Sequence, residues 1–457
     1  MSHIVVITSG LTGILNASFE LMHRLEKAGY RVTCACPQSI GEKVKKQGFT
    51  YFQLQAVNFN PAPDVPYFRG NFGKVKGLFY KWINRKERKK KAIAALKMQD
   101  FVLNLQELKP DLLILDVELH EHIMTAIVKK YPVLLLSQWF SLWRREGLPP
   151  LLQDTIPGVG ERGTKEAISA AWDKIEQERR RTFRRQKLRS AGTDRRSILQ
   201  AYVAQIGFPK EYIPDNYWPG PFTYAKLPVI SMTTAELEFP HELRPNLTYV
   251  GAMVFAERKD LKIDEKVDAQ LTKIFQQKQK TGAALIYCSV STFKEGDTDF
   301  LQKLAAAIDK DKRYILIIGL GGMLEQDILP NPSKNVHCFK WIPQLKVLAE
   351  ADLSINHGGI HTINECLHFR VPMLIYSGKR SDQNGCAARV HYHKIGIMAD
   401  KDKDSPEEIK NKIETVLNES IYQENIEKFS KITEDYKEQK TMEKLVSQFI
   451  KKNRNIC

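Results

Sequence analysis

Residues 351–376, ADLSINHGGIHTINECLHFRVPMLIY, decide the fold of this chain. The segment ADLSIN and the segment MLIY at 373–376 are apolar and predict two buried strands. Between them, His-Gly-Gly at 357–359 predicts a turn, and HTINECLHF predicts a helix that ends before Pro372. A strand that enters a helix through two glycines leaves backbone N–H groups exposed at the positive end of the helix. We therefore expect a nucleotide diphosphate to bind at this turn.

The composition indicates a globular chain with more than one domain. A length of 457 residues exceeds one ordinary core, and 43% hydrophobic with 27% charged residues is typical of globular proteins. No apolar run approaches the ~18 residues that span a bilayer. The start, MSHIVVITSG, resembles a first buried strand rather than a signal peptide, so we expect a cytoplasmic protein. The seven cysteines lack C-x-x-C spacing, which favours free thiols over disulfides or zinc ligands.

The charge is concentrated in two segments. The net charge of +16 implies an acidic partner, and residues 70–98 and 161–200 are the most basic parts of the chain. In the first segment, Phe79, Tyr80 and Trp82 are interleaved with lysines. Such segments are either solvated helices or surfaces that contact an anionic membrane. We expect no nucleic-acid partner, because no nucleic-acid-binding signature accompanies the charge.

Strand and helix patterns alternate in both halves of the chain. This alternation predicts an α/β fold with parallel sheets and helices on both faces. We expect a first domain at 1–250, with basic helical insertions at about 70–98 and 161–200, a polar linker at 251–281 and a second domain at 282–430.

Two features of the first domain are candidates for a site. Asp116 ends the buried strand DLLILD, and open α/β sheets bind ligands at the carboxyl ends of their strands. Trp139, Phe140 and Trp143 follow a later strand, where they either line an apolar pocket or belong to the core.

The second half contains an ordered set of polar, aromatic and glycine residues, namely Trp341, Gln344, His357, Gly359, Thr362, Glu365 and the pair Asp382-Gln383. This set resembles family 1 glycosyltransferases, which are UDP-sugar-dependent enzymes of the GT-B fold. The resemblance covers the carboxyl-terminal half well and the amino-terminal half in outline. It implies two Rossmann-like domains that face a cleft, with the acceptor bound by the first domain and the donor by the second. It also implies a final helix at 431–457 that packs back on the first domain. The implied reaction inverts the anomeric centre and needs no metal and no cofactor, since the nucleotide sugar is a co-substrate.

The resemblance implies a role for each residue of the donor half. Trp341 would stack on the nucleobase, with Gln344 beside it. His357 matches the family histidine at the diphosphate, where an N–H donor offsets departing charge. Gly359 would allow close backbone approach, and Thr362 stands where the family has a serine or threonine at the phosphate.

Three further residues match the family, and two positions depart from it. Glu365 matches the carboxylate that accepts the ribose hydroxyls, and the pair Asp382-Gln383 matches the acidic–Gln pair that binds the sugar. Ser291-Thr292 stands where Gly-Ser or Gly-Thr is usual, and Ile360-His361 replaces the Trp-Asn of plant members. Ser291, Thr292 and His361 remain candidates for the phosphate pocket.

The catalytic base of the family is missing at its usual place. The family has a Gly-His pair ahead of the first helix, and the matching residues here are Gly13 and Ile14. Isoleucine cannot accept a proton, so we expect Ile14 to contact the acceptor instead, together with Trp139, Phe140 and Trp143. Asp116 matches the aspartate that orients the missing histidine.

Three explanations of this replacement stay open. His120 or His122 would act as the base, tuned by Glu118 or Glu121. Alternatively, Asp116 itself would accept the proton, or the acceptor would need little activation. Finally, the chain would be a weak homologue that binds or activates another enzyme.

The sequence therefore predicts a glycosyltransferase that moves a sugar from a nucleotide diphosphate sugar to a small apolar or amphipathic acceptor. Asp116 and His120 are the predicted catalytic residues. A nucleotide-sugar epimerase on the same fold is a further alternative. We expect no metal site, because the Asp-x-Asp at 297–299 lies where a helix begins and is better explained as a helix cap.

Overall fold

The computed structural model describes residues 1–70, 72–140, 143–215, 218, 223–259, 264–289, 297–321, 329, 333–379 and 382–454. The strands are β1 (His3–Ile7), β2 (Arg31–Pro37), β3 (Tyr51–Leu54), β4 (Leu112–Asp116), β5 (Val133–Ser137), β6 (Val229–Ser231), β7 (Leu247–Tyr249), β8 (Ala284–Ser289), β9 (Tyr314–Gly319), β10 (Val336–Phe339), β11 (Leu353–Asn356), β12 (Met373–Tyr376) and β13 (Gly396–Ala399).

The helices are α1 (Thr12–Lys27), α2 (Gln38–Lys46), α3 (Gly73–Ile83), α4 (Arg85–Ala94), α5 (Met98–Leu108), α6 (His120–Val128), α7 (Lys165–Ser190), α8 (Arg195–Ile206), α9 (Glu265–Thr281), α10 (Asp297–Ile308), α11 (Gln344–Leu348), α12 (Ile360–Phe369), α13 (Gln383–Tyr392), α14 (Pro406–Asn418), α15 (Ser420–Glu438) and α16 (Thr441–Arg454).

The strands form two parallel sheets, one in each half of the chain. The first has the order β3-β2-β1-β4-β5-β6-β7, and the second has the order β10-β9-β8-β11-β12-β13. The central strands β1, β4, β5 and β9 are buried along their whole length, because helices cover both faces of each sheet. The two-domain α/β architecture predicted from the sequence is confirmed.

The predicted linker at 251–281 contains a helix. α9 occupies most of this segment, and Leu271 and Ile274 on it are buried in the apolar cluster of the second domain. The lysines and glutamines of the segment lie on the exposed side of an amphipathic helix. These exposed polar residues give the segment a composition like that of a linker, although it is helical.

The last helix packs on the first domain. Met442, Val446 and Ile450 of α16 join the apolar cluster that lies beneath α1. Arg24 of α1 donates two hydrogen bonds of 2.9 Å to the carboxylate of Glu443. The chain thus returns to its starting domain, which couples the stability of the two halves.

The two basic segments are helical. The first contains α3 and α4, and the second contains α7 and the start of α8. None of the residues of α3 is buried. Within the described part of the chain, no helix combines the length and the apolarity needed to cross a membrane.

Candidate functional site

The turn between β11 and α12 requires glycine at position 358. Gly358 has φ +82°, and its N–H donates to Oδ1 of Asn356 at 2.9 Å. A Cβ atom at this position would lie 2.9 Å from Cγ2 of Ile375 and 3.0 Å from the carbonyl oxygen of Gln383. The glycine therefore lets the chain leave the strand and enter the helix in a tight space.

The first turn of α12 lies beside His357. Gly359 is the N-cap of the helix, and a Cβ atom there would lie 2.8 Å from Nε2 of His357. The imidazole therefore packs closely against the backbone where the helix begins. Thr362 is half-buried in the same first turn. The backbone N–H groups of this turn, the imidazole and the hydroxyl are groups that bind phosphate.

A hydrogen bond brings α11 to Glu365. Nε2 of Gln344 donates to one carboxylate oxygen of Glu365, and Nη1 of Arg258 lies 3.0 Å from the other. Trp341, three residues before Gln344, has 53% of its surface exposed. The predicted nucleobase and ribose contacts thus lie side by side on different elements, with an exposed aromatic face.

The start of α13 provides a buried acceptor. Oε1 of Gln383 is buried and, within the described residues, has no hydrogen-bond partner. Asp382 is buried and accepts a hydrogen bond from Sγ of Cys386 at 3.4 Å. A buried amide oxygen without a partner is costly, and a sugar hydroxyl would satisfy it.

His361 connects the two domains. Its Nε2 lies 2.7 Å from Oε1 of Gln138, which follows β5 in the first domain. A Cβ atom on Gly13 of α1 would lie 2.5 Å from Cδ2 of the same ring. Burial, assisted by Arg258, lowers the pKa of His361 to about 4, so the ring is neutral. His361 therefore positions α12 against the first domain.

Asp116 is tied to the loop that leaves β1. It is 1% exposed, and its carboxylate accepts from the N–H of Ser9 at 3.0 Å and from the N–H of Glu118 at 3.1 Å. Burial raises the pKa of Asp116, and these hydrogen bonds oppose the rise. The buried carboxylate thus holds the loop after β1 against the turn after β4, and the geometry favours a positioning role.

The two histidines after Asp116 are poor general bases. Nδ1 of His120 lies 2.9 Å from the hydroxyl of Tyr224. Burial, followed by nearby arginines, lowers the pKa of His120 to about 3, far from the range that suits a base at neutral pH. His122 is buried with its ring edge against Phe101, with centroids 4.7 Å apart. The geometry therefore does not favour the predicted role of His120.

Glu118 is a carboxylate that the sequence analysis considered only as a group that tunes the pKa of a histidine base. Unlike Asp116 and His120, it is partly exposed. Burial, followed by the charge of Asp116, raises the pKa of Glu118 to about 7. The signal in the sequence was a polar residue just beyond the carboxyl end of a buried strand, which is the position where α/β folds place reactive groups.

The predicted acceptor residues divide into two groups. Ile14 has no exposed surface, and Phe140 is 2% exposed beneath the guanidinium of Arg389, which lies 4.9 Å from the ring centroid. These two residues belong to the core and do not reach an acceptor. Trp139 packs against the apolar clusters of both domains, and Trp143 packs against that of the first; both are half-buried. Ser291 and Thr292 lie outside the described residues.

Comparisons with known proteins bear on the family and on the fold. Residues 221–446 match the model of the UDP-glucuronosyl and UDP-glucosyl transferase family. An uncharacterized UDP-glucosyltransferase, YdhE of Bacillus subtilis (strain 168), is 27% identical over 40% of this chain and 43% of its own length. A UDP-glucuronosyltransferase of Macaca mulatta is 26% identical over 43% of this chain and 35% of its own length. The chain thus spans less than half of the length of these curated relatives.

Solved structures cover the whole chain. The glycotransferase of kitacinnamycin superposes with a TM-score of 0.68 at 16% identity, covering 98% of this chain and 99% of its own. The glycosyltransferase VinC, solved in complex with dTDP, has a TM-score of 0.63 at 13% identity, covering all of both chains. These likenesses establish the GT-B fold. The family match at 221–446 contains the turn before α12 and every described residue of the candidate donor site, and through it the chain belongs to the family 1 glycosyltransferases.

Proposed function

We propose that this protein transfers a sugar from a UDP-sugar to a small acceptor in the cleft between its two domains. The observation that carries the proposal is the hydrogen bond from Gln344 to Glu365, beside the exposed face of Trp341. In this proposal Glu365 accepts the ribose hydroxyls, and the exposed ring of Trp341, three residues before Gln344, stacks on the base. Glu365 belongs to α12, and the N–H groups at the start of the same helix would hold the diphosphate.

The second element of the proposal is the general base, which we assign to Glu118. Asp116 pairs with Leu136 across β4 and β5. Glu118 lies in the turn that follows β4, and Gln138 directly follows β5, so both residues lie just beyond the carboxyl ends of neighbouring strands. Neighbouring strands are about 4.8 Å apart. Gln138 contacts His361 on α12, which supports a position of Glu118, at the end of the neighbouring strand, near the donor helix.

The reaction follows from these positions. Glu118 would take the proton of the acceptor hydroxyl as its oxygen forms a bond to the anomeric carbon. The bond from that carbon to the β-phosphate oxygen would break, and its electron pair would leave with UDP. The N–H groups of α12 and the ring of His357 would stabilise this departing charge. Attack from the first domain, opposite the phosphate, inverts the anomeric centre.

The acceptor class is the least constrained part of the proposal. Trp139 and Trp143 are half-buried aromatic surfaces in the first domain, which favour an apolar or amphipathic acceptor. The cationic helices favour an acceptor presented at an anionic membrane surface.

Release of UDP tests this function. UDP-glucose is incubated with the full chain, with and without a mixture of apolar alcohols and lipid extract, and free UDP is measured. We expect release that depends on the acceptor mixture. Isomerisation of the donor without acceptor would instead identify an epimerase, and donor binding with no turnover would identify a binding partner.

The Glu118→Gln variant tests the base. Loss of a general base lowers the rate by about 10²–10⁴-fold, so UDP release should fall by that factor while UDP affinity is unchanged. Glu107→Gln, on the exposed side of α5, is the matched control and should leave the rate unchanged. A Glu118→Gln rate within about twofold of the parent would overturn the assignment.

A further inference from the structure

α3 turns its apolar side toward solvent. Val75, Leu78, Phe79, Trp82 and Ile83 follow the spacing i, i+3, i+4, i+7 and i+8, which places them on one face of a helix. These side chains are between 39% and 66% exposed. In a surface helix of a globular protein this face normally packs on the core. We call this face the α3 stripe.

The opposite side of α3 faces the protein and explains the orientation. Gly77 lies near Val65, and the ring of Tyr80 packs against Phe68 with centroids 6.0 Å apart. An added Cβ atom on Gly77 would lie 3.8 Å from Cγ1 of Val65 and 3.9 Å from Cδ2 of Phe68, so this side of the helix is in van der Waals contact with the segment before it. The helix is therefore fixed with the α3 stripe outward.

Cationic side chains lie on α3 and on the neighbouring helices α4 and α7. α3 is joined to the end of α7 by a hydrogen bond of 3.4 Å from Nζ of Lys81 to the carbonyl oxygen of Arg189. The exposed cations of α3, α4 and the second half of α7 include Lys74, Lys76, Arg85, Lys86, Lys90, Lys91, Arg179, Arg181, Arg184, Arg185, Lys187 and Arg189. Between residues 179 and 189 no acidic residue interrupts the cations.

The combination identifies the partner. An exposed apolar patch marks an interaction surface, and by itself it would fit any apolar partner. The cations on α3, α4 and α7 are spread over three helices, so they favour a partner whose negative charge extends over a wide surface. A helix with Phe and Trp on one face and Lys and Arg beside them is typical of segments that lie in the headgroup region of an anionic bilayer.

We propose that α3 docks this protein on an anionic membrane, with the α3 stripe among the acyl chains and the cations of α4 and α7 at the headgroups. The docking is independent of catalysis. Its meaning for the reaction rests on the proposed function: a membrane-bound chain would meet an amphipathic acceptor in the bilayer in which that acceptor is dissolved.

Vesicle flotation with the full chain and no nucleotide tests the docking. We expect flotation with vesicles of phosphatidylcholine mixed with phosphatidylglycerol, and much less with phosphatidylcholine alone. The double variant Phe79→Ser, Ile83→Ser should lower the vesicle partition coefficient at least about tenfold, because it removes two large apolar groups from the α3 stripe. Leu103→Ser, an equally exposed leucine on α5, is the control and should float like the parent.

Three outcomes would overturn the docking. The first is absence of flotation with the anionic vesicles at low salt. The second is flotation that the double variant leaves unchanged, since the attraction would then be electrostatic alone. The third is a dimer in light scattering that the double variant dissociates, without vesicle binding, since the α3 stripe would then contact a second copy. Because no donor is present, failure here is distinct from failure of UDP release.

Discussion

Nε2 of His361 lies 2.7 Å from Oε1 of Gln138, which joins the first turn of α12 to the end of β5. Two further contacts support this junction: Asn364 donates to the carbonyl oxygen of Met232 at 3.2 Å, and Gly13 of α1 approaches the ring of His361. The helix that would hold the diphosphate is thus held by the domain that would hold the acceptor.

Gly13→Ala should separate folding from turnover. The new methyl group would meet Cδ2 of His361 at 2.5 Å, so the ring must leave Gln138. Alanine suits a helix better than glycine by about 1 kcal/mol, which offsets part of the cost of the lost hydrogen bond, so the unfolding temperature should change little. The rate of UDP release should fall. Adding His361→Ala should restore part of the loss in the double variant, whereas additive losses would contradict the contact.

Gln383→Leu should distinguish the sugar from the nucleotide. Oε1 of Gln383 is a buried acceptor placed to receive a sugar hydroxyl. Loss of one such hydrogen bond should weaken the binding of UDP-glucose by about 0.5–1.5 kcal/mol and leave the binding of UDP unchanged. Isothermal titration of both ligands measures this difference, with exposed Gln423→Leu as the control. Equal weakening of UDP and UDP-glucose would contradict the assignment.

The pH profile of turnover should report Glu118. Burial and the charge of Asp116 raise the pKa of Glu118 to about 7. Below that pH the carboxyl is protonated and cannot accept the acceptor proton, so kcat/KM should fall by about tenfold per pH unit, while above it the rate should level off. Asp116→Asn removes the neighbouring charge and should move the acid limb to lower pH. An acid limb that does not move would contradict the coupling of the two carboxylates.

Arg389→Ala should destabilise the whole chain. Nε of Arg389 in α13 lies 2.6 Å from Oε1 of Glu238 in the first domain, and both side chains are fully buried. Removing one partner leaves a buried charge alone, which costs about 3–5 kcal/mol. Urea unfolding measures the loss. Arg370→Ala, which breaks the exposed pair with Glu434, is the control and should cost no more than about 1 kcal/mol.

The sequence predicted the elements that have strong local signals. The strands that frame 351–376 and the helix between them are found as expected, since apolar runs and a Gly-Gly turn are local patterns. α9 was hidden by the polar residues of its exposed side, although Val267, Leu271, Ile274 and Phe275 follow helical spacing. The short β13 begins at Gly396, and a glycine weakens the signal of a strand.

Contacts between distant residues could not be read from the sequence. Arg258 lies 107 positions before Glu365, and no local pattern connects a polar segment to that carboxylate. No local pattern indicates the contact of Gln138 with His361 either, or the burial of Phe140 beneath Arg389. The resemblance to the family indicated the candidate donor side chains, whereas a contact such as that of His361 with Gln138 depends on how the two domains meet.

Titration of UDP into the full chain tests most directly whether the region of Trp341, Glu365 and the start of α12 binds the donor. We predict saturable binding, with an affinity that Trp341→Ala lowers by about 1–3 kcal/mol through lost stacking. Glu365→Ala should lower it further through lost ribose hydrogen bonds, and Tyr67→Ala, an exposed aromatic elsewhere, should have no effect. Absence of UDP binding, or equal affinity in the parent and in both site variants, would contradict a donor site at this place.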